Sequence, residues 1–139
     1  MQYLTGTLTK ALVDFFGNDV RRIEHAVEVL YHTRNIADTR PDIDSDILTA
    51  AALLHDLGIK PSERELGYNN GHTQEHYGPG EARTILEFIG FPAEKIDKVC
   101  DIVGNHHSPS RFDYRELEIL KQADNLVNRQ ESLSSDENT

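Results

Sequence analysis

Apolar residues recur along this chain three and four positions apart, and no strand-length run of alternation interrupts them, so the pattern predicts an all-α fold. Residues 3–16 read as a short amphipathic helix packing through Leu8, Leu12, Phe15 and Phe16, stopped by Gly17 and Asn18. A second helix spans Asp19 to Asp38, capped by Asp19, with an apolar arc of Ile23, Ala26, Val27, Val29, Leu30, Ile36 and Ala37. After a loop from Thr39 to Asp44, Asp44 or Ser45 caps a helix that is apolar on every side from Ile47 to Leu57, which places it in the middle of the core. The polar stretch Ile59 to Thr73, with Pro61, Gly67, Asn69, Asn70 and Gly71, reads as a long loop suited to a lid or to substrate contact. The next helix starts between Gln74 and Pro79 and ends at Gly90. Pro92 opens another, with the stripe Ile96, Val99, Cys100 and Val103. A loop from Ser108 to Asp113 leads to the last helix, Tyr114 to Arg129, with a seam of Leu117, Leu120, Asp124 and Val127. One domain over residues 1–130 is expected, followed by a polar, acidic tail over 131–139 that reads as disordered.

The chemistry lies where polar residues break this pattern. His55 and Asp56 close the most apolar helix, where an ionised carboxylate is costly unless a positive charge meets it. Asp124 takes the place of a leucine on its seam, and His25 falls just outside the apolar arc of the second helix. Those four residues, on three different helices and facing inward, make a first metal site of nitrogen and oxygen donors. His106 and His107 continue the buried stripe of their helix instead of its wet face. With Glu75 and His76 they are candidates for a second ion, Asp56 bridging the two. Lys60, at the root of the polar stretch, is placed to reach a phosphate bound at His55 and Asp56.

Composition narrows the partners. The formal net charge is -10 with no basic cluster, which disfavours a nucleic-acid polymer. A small phosphorylated substrate remains compatible, because a bound cation reverses the local field. Cys100 is the only cysteine, so neither a disulfide framework nor a thiolate zinc site is expected. Without sulfur the donors suit one or two divalent ions: Fe, Mn, Mg or Zn. No apolar run approaches a membrane span, so a cytoplasmic protein with no membrane partner is the expectation.

The ordered pattern His25, His55–Asp56, Asp124, together with the words AALLHDLGI and VGNHHS, resembles the HD-domain metal-dependent phosphohydrolases over roughly Arg22 to Val127. The resemblance implies a helical bundle of five or more helices. It implies His25, His55, Asp56 and Asp124 as ligands of the first metal, and His76 and His106 as ligands of a second, with Glu75 as the alternative to His76. His107 would touch the second metal or the substrate. The implied activity is hydrolysis of a nucleotide or other small phosphate ester by metal-activated water. In it Asp56 orients the water or bridges the ions, and Lys60 or Arg64 assists. Two other functions fit the same ligands: a di-iron oxygenase, and a non-catalytic module sensing a nucleotide or a metal. A homodimer is compatible with all three.

Overall fold

The computed structural model describes the backbone of residues 1–137 and the side chains through residue 134. The described residues form seven helices and no strand: α1 (Leu4–Phe16), α2 (Val20–Ala37), α3 (Ser45–Leu54), α4 (Ile59–Leu66), α5 (Gly71–Phe88), α6 (Ala93–Val103) and α7 (Arg115–Glu137). None is long and apolar enough to cross a membrane.

The central helix is α3. Every residue from Ile47 to Leu54 is buried, and α1, α2, α6 and α7 all pack against it. Full burial of Leu53 and Leu54 contributes about 1.5–3 kcal/mol each. Around this axis α2 lies along α7, and α5 lies along α6. The helix starts behave as read. Asp19 accepts from the Arg22 N–H, and Asp44 accepts from the N–H groups of Asp46 and Ile47.

The stretch Ile59 to Thr73 is not a loop. Its first half is α4, in which Pro61 occupies the first turn, where a missing N–H breaks no helical bond. Gly67 closes α4 in the left-handed region (φ 78°), its N–H bonding to the Glu63 carbonyl. Asn70 then opens α5 with a capping box shared with Thr73. The glycines and asparagines that suggested a long loop are therefore the stop of one helix and the start of the next, squeezed into residues 67–70. For the same reason α5 begins at Gly71, earlier than expected, and carries Pro79 in its interior.

The last helix also departs from expectation. It continues past Arg129 to Glu137, so residues 131–137 of the expected tail extend α7. Residues 138 and 139 lie outside the described ones.

One close approach positions the site. A Cβ on Gly58 would stand 2.3 Å from the Gln74 carbonyl oxygen and 2.8 Å from the Gly78 nitrogen. Only a residue without a side chain lets the first turns of α5 rest directly on the turn that follows α3. That contact brings Gln74 to the end of the central helix, beside His55 and Asp56.

Candidate metal centre

His55 is the C-terminal cap of α3, and His106 lies just past the end of α6. Helix ends leave carbonyls unpaired, and both histidines use one three residues back. His55 Nδ1–H donates to the Ala52 carbonyl at 2.7 Å, and His106 Nδ1–H donates to the Val103 carbonyl at 2.7 Å. In each ring this fixes Nε2 as the free nitrogen and points it into the protein. Both Nε2 atoms are buried without a hydrogen-bond partner.

Carboxylates surround them. His55 Nε2 lies 3.4 Å from Asp56 Oδ2 and 3.3 Å from Asp124 Oδ1, near but not aligned for a hydrogen bond. His25 Nε2 lies 3.0 Å from Asp124 Oδ1 and 3.3 Å from Asp56 Oδ2. Across the site His106 Nε2 is 3.6 Å from the other Asp56 oxygen, Oδ1. Asp56 thus turns one oxygen toward His25 and His55 and the other toward His106, the disposition of a bridging ligand. The donor atoms of His25, His55 and Asp56 lie within 4.8 Å of one another, as do those of Asp56, His106 and His107.

Lone pairs facing lone pairs need positive charge between them. Protons can supply it. Burial works against a charged His55, but Asp56 and Asp124 outweigh it and raise the ring to about 9. Burial likewise works against an ionised Asp56, yet His55 first, then His106 and His25, hold it at about 2. Asp124 is buried too and is held well below the carboxylate range by His25 and His55. A divalent cation fits the same donors: two neutral imidazoles locked in the ligating tautomer and two ionised carboxylates. Binding it would displace the proton that His55 otherwise holds.

The second group rests on a polar scaffold. Glu75 Oε2 accepts from the N–H of His107 at 3.0 Å, and from the N–H and hydroxyl of Ser108, both at 2.9 Å. These bonds hold Glu75 below the ordinary carboxylate range against partial burial. Glu75 therefore organises the loop after α6, and belongs to neither donor group. Gln74 is the α5 residue that faces the site. It donates through Nε2 to Asn69 and accepts from His107 Nε2–H at 2.6 Å, which leaves Nδ1 as the free nitrogen of His107. Burial, followed by the neighbouring His106, pushes His107 below the usual imidazole value.

Three candidates are not brought to the cluster. His76 is exposed on the outer face of α5, two residues and about 200° around the helix from Gln74. Lys60 is turned the other way, its Nζ donating to the Phe15 carbonyl at 2.6 Å and lying over the Phe15 ring. It ties α4 to the end of α1. Arg64 is exposed and pairs with its neighbour Glu65. Lys60 and Arg64 fall in the stretch expected to be a loop and His76 at the expected start of the next helix, and the helices that form there, α4 and the early first turns of α5, point them elsewhere.

Other residues join the site unannounced. Glu131 on α7 reaches His25 Nδ1 at 2.5 Å. Arg21 and Arg22 line a cavity of about 440 Å³, whose other walls include His25, Asp56, Gln74, His107 and Asp124. Arg22 is committed to Asp19 and Glu63. The arginines precede His25 by one helical turn, and Glu131 follows Asp124 by seven residues, so the same periodicity that located the candidate ligands points to them as well.

The family model described as HD domain matches residues 22–129. Among characterised relatives, the 3'-5' exoribonuclease YhaM of Bacillus pumilus is 31% identical over 115 residues, and that of Bacillus subtilis 30%. Each match covers 73% of this chain but 36% of the relative, so the chain spans about a third of the length of these proteins. Among solved structures, that of a predicted HD superfamily hydrolase from an uncultured Thermotogales bacterium superposes with a TM-score of 0.65 at 25% identity. The superposition covers 97% of this chain and 75% of the other.

Proposed function

The chain belongs to the HD-domain family, and on that premise we propose that it is a metal-dependent phosphohydrolase acting on a nucleotide or another small phosphate ester. The observation that carries this is the pair of buried, partnerless Nε2 atoms of His55 and His106 on either side of Asp56. They are fixed in the ligating tautomer, and no hydrogen-bond partner among the described residues completes them. His25, His55, Asp56 and Asp124 would hold a first ion. Asp56, His106 and His107 would hold a second.

A divalent ion so held would polarise a phosphoryl oxygen and make a water more acidic. The protein's own part is placement and charge. Asp56, ionised through the whole neutral range, can accept a hydrogen bond from the attacking water and fix its direction. Arg21 puts guanidinium charge in the cavity wall, where a phosphate entering beside Asp56 and Asp124 would otherwise meet carboxylates. Gln74 holds His107 and shapes the inner end of the cavity.

The exoribonuclease relatives bear on the substrate. A phosphodiester at the end of a strand differs from a nucleotide ester chiefly in its leaving group, so the same constellation could cleave either. The overall charge of -10 favours the smaller one. The test is product release by metal-stripped protein resupplied with Mn, Mg, Fe, Co or Zn, on a panel of nucleotides, simple phosphoesters and short RNA. Asp56→Ala is the control. Metal-dependent release that vanishes in the variant is the expected result, and the best substrate identifies the class. Oxygen uptake by the iron form without hydrolysis would replace this proposal with an oxygenase. Tight metal or nucleotide binding without turnover would replace it with a sensing module.

A further inference from the structure

Three of the four histidines in the two donor groups need the same thing and obtain it differently. Each must keep Nε2 free and aimed at the carboxylates, which requires an acceptor on Nδ1–H. His55 and His106 stand at helix ends and take the unpaired carbonyls of Ala52 and Val103. His25 is the sixth residue of α2, within the helix, where the nearby carbonyls are consumed by the helical ladder. No backbone acceptor is free for it. The acceptor comes instead from another helix: Glu131 Oε1 at 2.5 Å from His25 Nδ1, while His25 Nε2 faces Asp124 at 3.0 Å.

We propose that Glu131 is a positioning residue for the metal centre, a carboxylate that holds His25 in the ligating tautomer and orientation. The proposal rests on the metal-binding reading given above. Asp124 and Glu131 are seven residues apart on α7, two helical turns, so both project from one face. The first approaches Nε2 of His25 and the second approaches Nδ1, so α7 grips the imidazole at both nitrogens. A carboxylate behind a ligating histidine also makes the ring a better donor, and loss of such a partner typically lowers metal affinity about 10–100-fold. Glu131 is about one-third exposed, so its replacement removes the partner without opening the core.

The experiment titrates Mn(II) and Zn(II) into the metal-free full chain by calorimetry, for the wild type, Glu131→Gln and Glu131→Ala. Long-range ¹⁵N NMR of the metal-free proteins reads the His25 tautomer alongside. Glu131→Ala is expected to weaken binding about 10–100-fold and to leave His25 as a mixture of tautomers. Glu131→Gln keeps an acceptor and should retain the tautomer with a smaller loss of affinity. In turnover, the alanine variant should lose activity at limiting metal and regain most of it at saturating metal. Wild-type affinity and an unchanged tautomer in Glu131→Ala would overturn the role of Glu131 alone. A wild type that binds neither ion would overturn the metal centre itself, and the positioning role with it.

Discussion

The two halves of the proposed metal centre share Asp56 and are built by different means. His25, His55 and Asp124 sit on α2, the end of α3 and α7, each set by a helix whose apolar neighbours are buried in the common core. His106 and His107 hang on a connector after α6 that polar bonds hold in shape. Asn105, fully buried, donates to the Ser108 hydroxyl and the Pro109 carbonyl and accepts from the Arg111 N–H. Glu75 ties the same segment to α5. One half is positioned by packing and the other by a hydrogen-bond network. The first should therefore resist local change and the second should depend on a few polar atoms.

The sharpest division comes from the two equivalent histidines. His55→Ala leaves Asp56 short of its principal counter-charge and Asp124 with His25 alone in a buried site, which should cost about 4 kcal/mol in the metal-free protein. It should also remove metal-dependent turnover. His106→Ala takes away only the Oδ1-side partner of Asp56, so metal analysis should show one ion lost and the other kept. Urea unfolding and metal stoichiometry measured on both variants check this. Equal losses in the two would mean that the halves form one site.

Next in size is the contact that joins the halves. A methyl group at Gly58 would meet the Gln74 carbonyl and the Gly78 nitrogen, both backbone atoms that cannot swing aside. Gly58→Ala should cost about 3 kcal/mol in urea unfolding. It should move Gln74 and His107 while leaving the His25–Asp124 contact in place. Unchanged stability would show that α5 can slide on the α3 turn, and that the fit is looser than the distances imply.

The same division explains what the sequence made readable. The fully apolar run of α3 and the seam of α7 announced His55, Asp56 and Asp124, because a polar residue inside a buried stripe stands out against its neighbours. His106 was visible for the same reason. The segment from Ile59 to Thr73 was not readable, because Gly67, Asn69 and Asn70 serve equally as loop residues and as caps. A pattern read without α4 and the early start of α5 turns Lys60, Arg64 and His76 toward the site and Gln74 away from it, the reverse of what the helices do. Glu131 was hidden by ending α7 at Arg129. In each case a helix boundary decided the outcome, and boundaries rest on one or two hydrogen bonds, whereas periodicity accumulates over many residues.

Within the network half, Glu75 is the test residue. Glu75→Ala removes three hydrogen bonds to one partly buried carboxylate oxygen and should cost roughly 2 kcal/mol in urea unfolding. It should weaken metal binding on the His106 side only. Glu75→Gln keeps an acceptor and should recover part of the loss. A stability change with no effect on metal would separate the connector's fold from its role in the site.

The smallest effect probes the packing half from its far end. Asp44 caps α3 eleven residues before His55 and pairs with Lys95. Partial burial pushes its carboxyl up, but the Ile47 N–H and Lys95 outweigh that and hold it below the usual range. With the folded value below the unfolded one (about 3.9), the charge stabilises fully above the unfolded value. That contribution disappears as pH falls through the folded one. Asp44→Asn keeps a capping oxygen and loses the charge, so at pH 7 it should be less stable by about 0.5 kcal/mol. The gap should close as urea midpoints are followed down through the acidic range below the unfolded carboxyl value. Metal affinity at neutral pH should not change, because the core, and not the cap, fixes where α3 ends. A cap variant that did weaken metal binding would mean that strain travels along α3 to His55, and that the packing half is no more rigid than the loop it was contrasted with.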